Sequence, residues 1–394
     1  MSIRGQAFIA GAYEHPRREI PDRSVAQVHA EVALGALADA GLTLDDVDGY
    51  FCAGDAPGIG PLSMADYLGL RLSHVDTTET GGSSYIVHVG HAAEAIAARS
   101  CSVALITLAG LPRSTQARAQ ARSAGSAGFF MATPEGSFEA LYGTTTVGMY
   151  ALAARRHMHE FGTTREQLAH VKVAASHHAQ FNPHALLRNK VTVDEVVESP
   201  LVADPLHRLD CCVVTDGGGA LVVVSPEVAH ELPRRGVKVL GHGEAVKHTA
   251  GGRLDLTYTG AVWSGPRAFA EAGVTPADIA YASIYDSFTI TVLETIEDLG
   301  FCEKGKGGTF VLDGALQGPD GRLPINTDGG GLCNNHPTNR GGMTKVIEAV
   351  RQLRGEAAPE VQVPDCHLAL AHGTGGNLAT RMGSATLILG QEDS

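Results

Sequence analysis

Apolar positions along the chain come in short blocks punctuated by glycine, and one block of this pattern occurs twice. Residues 36–50 (ALADAGLTLDDVDGY) and 268–282 (AFAEAGVTPADIAYA) share six identities: Ala36/Ala268, Ala38/Ala270, Ala40/Ala272, Gly41/Gly273, Thr43/Thr275 and Asp46/Asp278. Each copy predicts an Ala-rich helix stopped by a glycine, which adopts the left-handed conformation of a helix end at little cost. A Thr-x-x-Asp turn and an apolar strand follow, making each copy one arm of an αβ unit. A weaker echo pairs Thr78–Ser84 (TETGGSS) with Thr327–Cys333 (TDGGGLC). Both precede an apolar helix and then a strand, Val103–Leu108 in one case and Leu368–Ala371 in the other. The shared order predicts an α/β protein of two duplicated halves, about 1–225 and 236–394, each with a mixed sheet flanked by helices. The first half closes with Asp216–Gly219 (DGGG) running into a strand, Ala220–Val224. Inside it lies a long irregular stretch, about 111–209, with a helix expected around Val147–Glu160. An insertion of this length is expected to form a cap over a site.

The length agrees with two halves: 394 residues exceed the roughly 250–300 that one hydrophobic core supports. With 44% hydrophobic and 19% charged residues the chain is neither disordered nor fibrous. Apolar stretches such as Val103–Leu111 fall far short of the roughly 20 residues of a bilayer span. With no leader-like N-terminal pattern either, a soluble, cytoplasmic protein is expected. A net charge of −13 argues against nucleic acid or an anionic membrane as main partner, since both require a concentrated positive field. The seven cysteines, at 52, 101, 211, 212, 302, 333 and 366, form no CxxC and read as reduced thiols. The histidines between 157 and 207 form no HExxH, so no metal site is expected. No Walker-type phosphate loop or strand-anchored GxGxxG occurs, which disfavours nucleoside triphosphates and dinucleotides.

Three motifs carry a resemblance. Asn326–Pro337 (NTDGGGLCNNHP), followed by Gly341–Gly342, is similar to the NxxGG…GHPxGxxG segment of the thiolase superfamily, with His336 at the catalytic histidine. Tyr285–Phe288 (YDSF) stands where thiolases carry NEAF, and His372–Gly376 (HGTGG) where they carry CxGGG. The likeness runs from about Ile9 to Leu389 and has the flavour of sterol-carrier-protein-type thiolases and lipid-transfer-like proteins, including steroid side-chain aldolases. It implies the thiolase fold, a coenzyme A thioester as substrate with no further cofactor, a homodimer, and a small zinc-ribbon/OB-fold acyl-CoA-binding partner in trans.

The departures are chemical. The resemblance places Gly82 of Thr80–Tyr85 (TGGSSY) where a thiolase has its nucleophilic cysteine; His372 replaces the second cysteine and Tyr285 the asparagine of NEAF. An acyl-cysteine route is therefore expected to be closed. His336 is expected to hydrogen-bond a thioester oxygen, helped by the glycine-rich loops around Gly82, Ser83, Gly330 and Gly375. Tyr285 and His372 are expected to move protons. Acid–base groups without a nucleophile suit retro-aldol chemistry next to a thioester. Two alternatives are an acyltransferase using Cys333 or Ser84, and a non-catalytic lipid- or acyl-CoA-binding subunit. Ser83 and Ser84 otherwise read as helix caps, Asp286 as the cap of a helix Ser287–Leu299, and Cys333 as a small filler. Arg113, Arg118 and Arg122, spaced along one helix side, are expected to meet the nucleotide phosphates or to be a solvated basic face.

Overall fold

The computed structural model describes residues 2–115, 145–248, 254–338, 341–376 and 382–392. Strands are β1 (Phe8–Glu14), β2 (Gly49–Phe51), β3 (His74–Asp76), β4 (Val103–Gly110), β5 (Leu201–Ala203), β6 (Leu206–His207), β7 (Gly217–Val224), β8 (Val237–Lys247), β9 (Tyr281–Ile284), β10 (Leu368–Gly375) and β11 (Met382–Gly390). The helices of eight residues or more are α1 (Val25–Ala40), α2 (Pro61–Leu68), α3 (Ser84–Ala97), α4 (Thr146–Phe161), α5 (Arg165–Ala179), α6 (Ala261–Ala272), α7 (Thr289–Asp298) and α8 (Gly342–Arg354).

Nine strands form one mixed sheet in the order β3-β2-β4-β7-β1-β8-β11-β10-β9. Outward from the β1–β8 junction the two sides run β1-β7-β4-β2 and β8-β11-β10-β9, a mirrored order with β3 added at one edge. Where the sequence suggests one sheet per half, β1 and β8 pair at Phe8↔Lys238 and Ile9↔Val237 and join the two.

The repeated residues show why the two sides look alike. Gly41 (φ 76°) ends α1 and Gly273 (φ 67°) ends α6, both left-handed. The threonine amides after them donate to Asp46 and to Asp278, each at 2.8 Å. A Cβ on Gly11 of β1 would lie 2.1 Å from the Ala36 carbonyl, and one on Gly241 of β8 would lie 2.3 Å from the Ala268 carbonyl. The alanine pair of the repeat thus marks the same close helix-on-strand contact twice.

Helices α3 and α8 share one apolar cluster with residues of both sides of the sheet, among them Ile86, Val89, Val346, Leu108, Leu221, Ala371 and Leu387. Helix α1 covers the other face of the first side; α6, with α7 and α5, covers that of the second. Part of the stretch 111–209 packs into the core. Val171, Ala174 and Ala175 of α5 are buried against Val292 and Ile296 of α7, because the small-residue face of α5 leaves α7 room to approach. The helix expected around Val147–Glu160 is α4, Thr146–Phe161. All seven cysteines are unpaired, and no helix among the described residues is long and apolar enough to cross a membrane.

Candidate active site

Strand β9 delivers Tyr285. Parallel pairing of β9 with β10 continues one residue further, where the Tyr285 amide donates to the His372 carbonyl at 3.0 Å. The ring turns into the interior, 4% exposed, and its hydroxyl lies 2.8 Å from His336 Nε2. His336 follows a wide helical turn, Gly330–Asn334, and its amide donates to Thr215 Oγ1 at 2.9 Å.

The loops carrying this pair are tied together from three directions. Asp286 accepts from the Gly331 amide (2.8 Å), the Leu332 amide (3.1 Å) and the buried Lys345 ammonium (2.7 Å). It therefore caps the Gly330–Asn334 turn rather than the helix that follows it in sequence; that helix, α7, starts later than expected, at Thr289, without a side-chain cap. The segment Cys212–Thr215 threads between the loops: the Cys212 amide donates to the Ser287 carbonyl and the Val213 amide to the Gly331 carbonyl, each at 2.9 Å. On the far side, Arg18 donates to Asn334 Oδ1 (2.8 Å) and Glu14 Oε1 (2.7 Å).

Burial sets the protonation of the pair. It pushes the Tyr285 hydroxyl well above its ordinary value, with Cys212 and Tyr150 close enough to add to the effect. It lowers His336 to about 4. At neutral pH the site holds a neutral phenol against a neutral imidazole, so a proton that the tyrosine takes from a substrate hydroxyl can be passed on to the imidazole.

Gly82 faces the ring. A Cβ there would come within 2.6 Å of Tyr285 Cζ and 2.1 Å of the Thr374 carbonyl oxygen. No side chain fits at position 82 while Tyr285 keeps its place.

The family described as "Thiolase C-terminal domain-like" matches residues 243–391. Acetyl-CoA acetyltransferase of Methanothermobacter thermautotrophicus is 34% identical over 92% of this chain and 95% of its own length. The 17-hydroxy-3-oxo-4-pregnene-20-carboxyl-CoA lyase of Mycobacterium tuberculosis is 34% identical over 95% and 97%. The chain belongs to the thiolase superfamily. The solved structure "Ltp2-ChsH2(DUF35) aldolase" superposes with a TM-score of 0.87 at 32% identity, covering 99% of both chains. Identity to the acyltransferase and to the lyase is equal, so overall likeness does not choose between their chemistries.

Other residues expected at the site fall outside the Tyr285–His336 pair. His372 points to the α6 side of the sheet, with Nδ1 2.9 Å from Thr386 Oγ1 and Nε2 3.2 Å from Ser384 Oγ. Burial holds it near 3. The pleat of β10 alternates side chains between faces and ties this ring into the sheet, so the expected proton carrier is not brought to Tyr285. Gly375 does come to the site, its α-carbon against the Thr80–Gly82 loop. The Gly330 amide is taken by Asp328 Oδ1 at 2.9 Å, which removes it as an oxyanion donor. Ser83 Oγ donates to the Thr80 carbonyl (2.8 Å) and Ser84 Oγ accepts from the Thr80 amide (2.9 Å); both bond back into the preceding loop instead of capping α3. Cys333 is buried, accepts from Lys172 Nζ at 3.1 Å and has its thiol pushed up by burial, unlike an activated thiolate. Arg113 is exposed, 3.5 Å from the Val214 carbonyl at the outer end of the Cys212–Thr215 segment. Arg118 and Arg122 lie outside the described residues.

Tyr150 and Cys212 are the residues that reading the sequence missed. Tyr150 lies in the expected helix of the insertion, and its ring stacks on Phe288 with centroids 4.3 Å apart. Cys212 sits close enough to Tyr285 to shift it, its own thiol pushed up to about 12 by burial. The antiparallel bridge Cys211↔Phe288 that places it there leaves no local pattern in the sequence.

Proposed function

We propose that this protein is a carbon–carbon lyase that cleaves a β-hydroxyacyl-CoA thioester by a retro-aldol reaction, without an acyl-enzyme intermediate. The observation that carries this reading is the Tyr285 ring, which fills the space beside Gly82 and hydrogen-bonds His336. Tyr285 takes the β-hydroxyl proton, passing its own to His336. The O–H electron pair becomes the carbonyl of the leaving ketone or aldehyde, and the α–β bond pair becomes a thioester enolate. Protonation at the α-carbon gives the shortened acyl-CoA. Every atom balances and nothing is oxidised or reduced, so the reaction asks for no redox cofactor.

The Mycobacterium tuberculosis relative is named for a pregnene carboxyl-CoA, so a steroid side-chain thioester is the substrate to try first. The neighbouring solved complex names a DUF35 partner; we extend this to a zinc-ribbon/OB-fold protein that assists acyl-CoA binding in trans. Strand β3 is an edge of the sheet, and exposed Ile59, Leu62, Tyr67 and Val75 lie on or near it in sequence. This supports a homodimer through that edge, which light scattering would read.

The test supplies a 3-hydroxyacyl-CoA with a steroid side chain, with and without the partner. Cleavage is expected to release shortened acyl-CoA at unchanged free CoA, and the intact protein mass should show no acyl adduct. A CoA-dependent reaction or an acylated peptide would replace this reading with the acyltransferase one. No turnover in either condition would leave a binding subunit.

A further inference from the structure

A retro-aldol reaction moves two protons, one off the hydroxyl and one onto the α-carbon, and Tyr285–His336 accounts for the first. A second tyrosine hydroxyl stands close to the same site. Tyr150, on α4, is 3% exposed. Its ring stacks on Phe288, three residues beyond Tyr285, and Ser287 hydrogen-bonds its hydroxyl. That hydroxyl also lies 3.5 Å from the Gly376 carbonyl, at the end of β10 where Thr374 and Gly375 meet the Gly81–Gly82 loop. Tyr150 thus reaches the place where Tyr285 and Gly82 converge, from the opposite element.

We propose that Tyr150 is the acid that protonates the α-carbon of the enolate. This rests on the lyase reading above. The Tyr150 O–H bond breaks as the α-C–H bond forms. When products leave, the phenolate regains a proton from solvent and Tyr285–His336 releases the one it holds to solvent, so each turnover closes without a co-reactant.

The reverse of the protonation step isolates this role. Wild-type protein in D2O with propionyl-CoA is expected to exchange the α-hydrogens, read from the mass of the thioester. Tyr150→Phe is expected to lower exchange at least ~10-fold with an unchanged melting temperature, whereas Tyr285→Phe lowers cleavage more than exchange. Exchange at the wild-type rate in Tyr150→Phe, or equal losses of exchange in Tyr150→Phe and Tyr285→Phe, would overturn the proposal. A wild-type protein that cleaves a β-hydroxyacyl-CoA but exchanges nothing would sink the proposal and leave the lyase reading; one that does neither removes both.

Discussion

Replacing Tyr285 by Phe is expected to lower kcat for cleavage by about 10²–10⁴-fold, the usual range for one positioned acid–base group. The ring remains and still fills the space beside Gly82, so the fold should hold. Loss of the hydroxyl removes the 2.8 Å hydrogen bond to His336 and one to the Gly341 backbone, a stability change of about 1 kcal/mol each. The two residues act as one unit, so Tyr285→Phe combined with His336→Ala should fall little further than either alone. Additive losses would mean that they serve separate steps. The pH profile checks the same pair. Burial lowers His336 to about 4, so the imidazole is a free base at higher pH and gains a proton as pH falls through about 4. The acid limb of kcat should therefore lie near 4 and not near the ordinary histidine value. Rescue of Tyr285→Phe by a new cysteine at position 82 is not expected, because the Thr374 carbonyl also crowds that position.

What was legible in the sequence was legible for local reasons. Ala36/Ala268 and Gly41/Gly273 repeat because each pair solves one packing and one helix-stop problem within a few residues. Tyr285 and His336 stand on motifs whose order survives along the chain. The remaining site residues are joined across long separations. Tyr150 meets Phe288 and Lys172 meets Cys333 through the packing of the insertion on α7 and the adjoining turn, which no periodicity encodes. Asp286 shows the contest most plainly. Next to a helix start, an aspartate reads as a local cap. Two amides of a distant turn and one buried ammonium, 45 to 59 residues away, outcompete that cap. His372, expected to carry a proton, is instead faced by the pleat of β10 toward Thr386 and Ser384.

Asp286 also carries the largest expected effect on stability. Asp286→Ala leaves the Gly331 and Leu332 amides without their acceptor and the Lys345 ammonium, 1% exposed, without its counter-charge. Breaking a buried pair from one side costs about 3–5 kcal/mol, which should appear as a lower denaturant midpoint. Lys345→Met in the same chain removes the stranded charge and should recover part of that loss, since an apolar replacement of a whole buried pair is often close to neutral. Activity should separate from stability here. The double variant keeps the fold but not the tie between the Tyr285 and His336 loops, so its kcat should stay low while its midpoint rises. Misplacement of reacting groups by about 1 Å can cost about 10²-fold, and this tie fixes the approach of the tyrosine hydroxyl to the imidazole. Recovery of kcat together with the midpoint would show that Cys212–Thr215 and Arg18 position the turn without Asp286.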